Sequence, residues 1–112
     1  MILLNFSRPC CALLLIALAT TVLAQSFPVK PIRIIVGSAP GGAADVAGRI
    51  AAQKLTEAFG SPTVVEQRTG ASGSIGTEYV AKSAPDGHTL ALGSMATLCV
   101  VPHLYPKIGY DS

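Results

Sequence analysis

Apolar and polar positions along this chain switch between two periods, and the switches mark its elements. Ile32 to Val36 form a short, mainly apolar run that predicts a strand. The strand gives way to a loop whose Pro40, Gly41 and Gly42 extend neither a strand nor a helix comfortably. From Val46 the apolar residues recur at three-and-four spacing: Val46, Ala47, Ile50, Ala51, Leu55, Ala58 and Phe59 share one predicted helical face, with Arg49, Gln53 and Glu57 on another. Gly60 stands where a helix C-cap belongs. After the Gly60-Ser61-Pro62 turn, the β-branched stretch Thr63 to Glu66 predicts a second strand.

The same sequence of events then repeats. Arg68 to Gly73 is a second glycine loop, and Ile75, Tyr79 and Val80 open a second helix that ends before Pro85. Pro85-Asp86-Gly87 is a turn, because proline presets one central φ and glycine tolerates a positive one. Thr89 to Leu92 is a third strand, Gly93 to Thr97 a third loop, and Leu98 to Tyr105 a short helix interrupted at Pro102; Lys107 to Ser112 reads as a connection. The order β-α-β-α-β with short connections predicts an α/β fold with a parallel sheet built by right-handed crossovers.

Composition changes the picture at the N-terminus. Arg8 precedes an uncharged apolar run from Cys11 to Leu23, and Val22-Leu23-Ala24 offers a signal peptidase the residues it needs. The run is shorter than the roughly 20 apolar residues of a spanning helix. Residues 1–24 are therefore expected to be a cleaved signal peptide, and 25–112 the exported domain. Eight Lys and Arg against six Asp and Glu, one of the cations being Arg8, leave the mature chain close to neutral. That balance gives no electrostatic footprint for nucleic acid or an anionic membrane. Cys99 alone survives cleavage, so no internal disulfide is expected.

All three loops follow strands and precede helices, which in a parallel sheet gathers them at the carboxyl edge where such sheets bind ligands. Their resource is backbone N–H groups at helix N-termini, supplemented by the hydroxyls of Ser38, Ser72, Ser74, Ser94 and Thr97. A small anionic or polar ligand follows from that chemistry; tight turns alone would use the same residues. Gly70, Gly73 and Gly76 have the spacing of a dinucleotide fingerprint. A dinucleotide site wants an acidic residue roughly 20 positions on, at the end of the next strand. Gly93-Ser94 stand there, and Asp86 falls too early, in a turn. An NAD(P)-binding module is thus the disfavoured alternative, and no cofactor is expected. His88 and His103 read as packing or surface residues, and no carboxylate pair, Cys-x-x-Cys or His-rich spacing supports an enzyme or a metal site. Asp45 reads first as an acid in a helix's first turn pairing with Arg49, and second as a residue that shapes the loop or meets the ligand.

Lys30 to Val36, Ala39-Pro40-Gly41-Gly42 with Asp45, Val64-Val65-Glu66 with Gly70 to Gly73, Ile75-Gly76, and Pro85-Asp86-Gly87 with Thr89-Leu90 come in an order and spacing that resembles the Bug family. These are periplasmic solute-binding receptors of tripartite tricarboxylate transporters. The resemblance implies a two-lobed Venus-flytrap protein in the periplasm. It would capture a small carboxylate and present it to a membrane permease. The implied ligand-binding residues are Ala39, Pro40, Gly41, Gly42 and Asp45 in the first loop, Ala71, Ser72, Gly73 and Ser74 in the second, and Ser94 and Thr97 in the third. The family often has Pro-Phe at Gly37-Ser38, a hydroxyl residue at Ala44, Asn-Arg-Pro at Gln67-Arg68-Thr69 and Tyr at His88. Family members also continue beyond the position of Ser112 into a second lobe. The chain is thus expected to be the first part of lobe one, with binding impaired by truncation; a non-binding remnant of a disrupted gene is the further alternative.

Overall fold

The computed structural model of the protein describes residues 26–112; the expected signal peptide lies outside the described residues. β1 (Ile32–Val36) is the central strand of a three-stranded parallel sheet of order β2-β1-β3, with β2 spanning Thr63–Gln67 and β3 Thr89–Leu92. Ile32 pairs with Thr63 and Val36 with Gln67 on one side, and Arg33 with Thr89 and Val36 with Leu92 on the other. The central position explains the composition of β1. Ile32, Ile34, Ile35 and Val36 are all buried because both faces of the strand are covered.

α1 (Ala43–Phe59) packs on β1 and β2, and α2 (Ser74–Ala81) on β1 and β3. The parallel α/β expectation is met. Gly60 caps α1 in the left-handed region (φ 64°), its N–H reaching the Thr56 carbonyl at 2.9 Å. Thr56 Oγ1 in turn accepts the Thr63 N–H at 3.0 Å, which ties the end of α1 to the start of β2.

The buried face of α1 corrects the sequence expectation. Val46, Ile50 and Phe59 are exposed, and the helix turns Asp45, Gly48 and Ala52 inward, flanked by Ala44, Ala51 and Leu55. The reason is close approach. A Cβ on Gly48 would stand 3.0 Å from Val36 Cγ2, so a stripe of small residues, and not the bulkier one, lets the helix reach the sheet. The helix also begins three residues earlier than the apolar period, at Ala43.

On the opposite face Glu66 receives both Arg33 and Arg68, the latter from Nε at 2.8 Å. The Arg68 guanidinium lies 3.6 Å from the Tyr79 ring centroid, which adds a cation–π contact across β2 and α2. His88 is buried at the entrance to β3, its Nε2 accepting the Val29 N–H at 3.2 Å while its ring packs at a tilt against Phe27, with centroids 4.9 Å apart. It is a packing residue that fastens the lead-in to the sheet.

Past β3 the chain forms a wide π-type turn (Ala96–Val100) that runs directly into α3 (Val101–Leu104). Pro102 sits near the start of α3, where a missing N–H is tolerated, so it does not interrupt the helix as expected. Tyr110 is buried and its hydroxyl donates to the Thr97 carbonyl, so the final stretch folds back onto the third loop.

Candidate ligand site

The chain order β1-α1-β2 leads to one side of the central strand and β2-α2-β3 returns to the other. Neighbouring loops therefore diverge around β1 and leave a crevice at the carboxyl ends of the strands. A cavity of about 300 Å³ occupies that place. Gly37 and Ser38 line it from the β1–α1 connection, Ala44 from the first turn of α1, Gly70, Ser72 and Gly73 from the β2–α2 connection, and Leu92, Ser94 and Thr97 from the end of β3 and its loop. None of these lining residues carries a formal charge.

Each loop is built for close approach. The β2–α2 loop runs through four consecutive residues of positive φ: Gly70 (124°), Ala71 (46°), Ser72 (57°) and Gly73 (88°). For Ala71 and Ser72 that conformation costs roughly 1–3 kcal/mol each, strain that characteristically collects at functional sites. Gly73 meets Gly37 on one side and Thr97 on the other, so glycine at 73 is what lets three loops converge.

The third loop closes on itself. Ser94 Oγ accepts the Thr97 N–H at 3.2 Å, and Thr97 Oγ1 accepts the Ser94 N–H at 3.0 Å while donating to the Ser94 carbonyl at 3.1 Å. This reciprocal box fixes both side chains at the cavity wall, in the manner of a helix capping box.

Asp45 is placed differently. It is buried beneath the first loop, where Oδ2 accepts the Gly41 N–H at 2.9 Å, Oδ1 accepts Gln67 Nε2 at 2.6 Å, and Arg49 Nε lies 3.1 Å from both oxygens. The Gly41 N–H, and then Arg49, hold its carboxyl below the usual range. Asp45 thus joins the first loop to the end of β2 and does not line the cavity.

Of the residues anticipated as ligand contacts, Ser72, Gly73, Ser94 and Thr97 stand together on the cavity wall. Ala39, Pro40, Gly41 and Gly42 stand exposed beyond it. Ala71 and Ser74 line a neighbouring cavity of about 240 Å³ beside Ile75, Glu78 and Tyr105. Gly37, Gly70 and Leu92 were not anticipated as contacts, and Ala44 stands on the wall where the family often has a hydroxyl residue. Gly37 had a signal, since it directly follows a strand end at the same sheet edge. Among the described residues no cluster of His, Cys, Asp and Glu could hold a metal ion, and no helix is long and apolar enough to cross a membrane.

A family model described as the tripartite tricarboxylate transporter family receptor matches residues 47–112. The chain is 47% identical over 94 residues to Protein BugT of Bordetella pertussis, which covers 83% of this chain and 29% of BugT. Among solved structures, the periplasmic binding protein BugD superposes with a TM-score of 0.71 at 35% identity, over 76% of this chain and 28% of BugD. MatC from Rhodopseudomonas palustris, solved with bound malate, matches with the same TM-score and identity, over 76% of this chain and 29% of MatC. The chain thus spans less than a third of the length of these relatives.

Proposed function

The chain belongs to the tripartite tricarboxylate transporter receptor family, and from that premise we propose that it supplies one wall of a periplasmic carboxylate-capture site. The ligand is a small carboxylate, and the partner is the membrane permease of the transporter. The observation that supports this best is the cavity at the sheet's carboxyl edge, where three loops offer hydroxyls and backbone groups and no lining residue bears a charge. Such a surface suits an anion through oriented N–H groups and hydroxyl donors, and leaves it free to depart. MatC, a relative in fold and sequence, holds malate.

Capture by the whole receptor is proposed to use a second lobe that closes over this wall. A clamp of this kind draws its affinity from burying the ligand on both sides. This wall is one side of such a clamp, so binding to it without the opposing side is expected to be weak.

Amide chemical-shift mapping reads weak binding directly. Titration of the isotopically labelled chain with malate, and separately with adipate, is expected to shift resonances of Ser38, Ser72, Gly73, Ser94 and Thr97. Loop resonances that stay fixed up to the solubility limit of both ligands would overturn the reading.

A further inference from the structure

We propose that the Ser38 hydroxyl donates a hydrogen bond to the carboxylate bound in the loop cavity, making Ser38 an affinity-determining residue. The assignment depends on the receptor reading above. Ser38 lines the cavity, yet its Oγ is buried and meets no hydrogen-bonding partner. A buried hydroxyl without a partner is costly, and a native chain that keeps one generally completes it with water, an ion or a ligand.

The neighbouring hydroxyls sharpen the point. Thr97 Oγ1 donates to the Ser94 carbonyl, and Ser94 Oγ lies 3.3 Å from Thr97 Oγ1, so each of these hydroxyls already has an acceptor within the third loop. Ser38 has no such engagement. One rotation about χ1 separates the three staggered positions its Oγ can take, and a carboxylate in the cavity is an acceptor toward which it can turn. A hydrogen bond to a charged acceptor is stronger than one between neutral groups, so one serine suffices to affect affinity.

Thr63 supplies an internal control. Its Oγ1 is also buried without a partner, but it sits at the start of β2, at the opposite end of the sheet from the cavity. Removing either hydroxyl relieves an unpartnered polar group; only one of the two removals is expected to touch the ligand.

The test compares wild type, Ser38→Ala, Ser38→Thr and Thr63→Val by shift titration with malate and adipate, alongside thermal denaturation without ligand. Ser38→Ala is expected to weaken binding by about tenfold, in keeping with a hydrogen bond to a charged group. It should melt no lower than wild type. Ser38→Thr, which keeps the hydroxyl, should retain most of the affinity, and Thr63→Val should bind as wild type does. Equal binding by Ser38→Ala and wild type overturns the assignment alone. A marked loss of stability in Ser38→Ala also overturns it, since the hydroxyl would then have a partner in the ligand-free chain. Wild type that binds neither carboxylate overturns the receptor reading and this assignment with it.

Discussion

A Cβ built on Gly73 would lie 2.8 Å from Thr97 Cγ2, so the second and third loops meet with no room for a side chain between them. Gly73 also holds φ 88°, a conformation that side chains other than glycine's rarely adopt. Gly73→Ala is therefore penalised twice, by backbone strain and by contact. The expected loss is roughly 1–3 kcal/mol, read as a lower urea midpoint at unchanged slope. An unchanged midpoint would mean that the loops are not held together at this point.

The inward face of α1 makes a paired prediction. Gly48→Val forces branched carbons against Val36 and should destabilise by about 1–3 kcal/mol through overpacking. Val46→Ser, two residues earlier on the exposed side of the same helix, should change stability by no more than about 0.5 kcal/mol. A reversed order in chemical denaturation would restore the bulky face as the packed one.

Asp45→Ala removes the acceptor shared by Gly41, Gln67 and Arg49. The first loop should loosen, with faster amide exchange at Gly41 and a lower urea midpoint. Asp45→Asn keeps the shape but not the charge, and should recover only part of the loss. Exchange at Gly41 that is unaffected by Asp45→Ala would show that the loop holds its form without this carboxylate.

Acid stability isolates a second carboxylate. Asp86 accepts Lys30 Nζ at 2.7 Å and the His88 N–H at 3.0 Å, and its carboxyl is lowered from 3.8 to about 2, first by Lys30 and then by the His88 N–H. A carboxyl whose folded pKa is depressed contributes stability that is present above its unfolded value and lost as pH falls toward the folded one. The window is thus about pH 4 down to pH 2. Asp86→Asn should flatten that part of a stability-against-pH profile, and added salt should diminish the wild-type effect because the pair is partly exposed. A profile with the same slope in both proteins would exclude Asp86 as its source.

The order of elements was legible because it rests on local rules. Thr89 to Leu92 emerges as a strand between two turn signals, and Gly60 ends α1 because only a residue without Cβ takes the left-handed cap at no cost. Short connections between apolar strands and helices leave few topologies besides a right-handed parallel sheet. The gathering of three loops at one edge follows from that topology, and so does the general region of the cavity.

The side each residue faces was settled by packing. Periodicity gave α1 an amphipathic stripe through Val46 and Ile50, but the distance between helix and sheet depends on the residues in contact, and Gly48 against Val36 permits a closer fit than the bulkier stripe. Asp45 belongs to the same class of outcome, because its bond to Gln67 joins positions that only the parallel register of β1 and β2 brings near. The sequence by itself therefore determined which segments are strands, loops and helices, through backbone preferences acting over a few residues. Tertiary structure alone decided which faces touch and which of the loop hydroxyls reach the cavity, Ser38, Ser72, Ser94 and Thr97 lining it while Ser74 lines its neighbour, because contact between distant segments depends on close packing that no local pattern records.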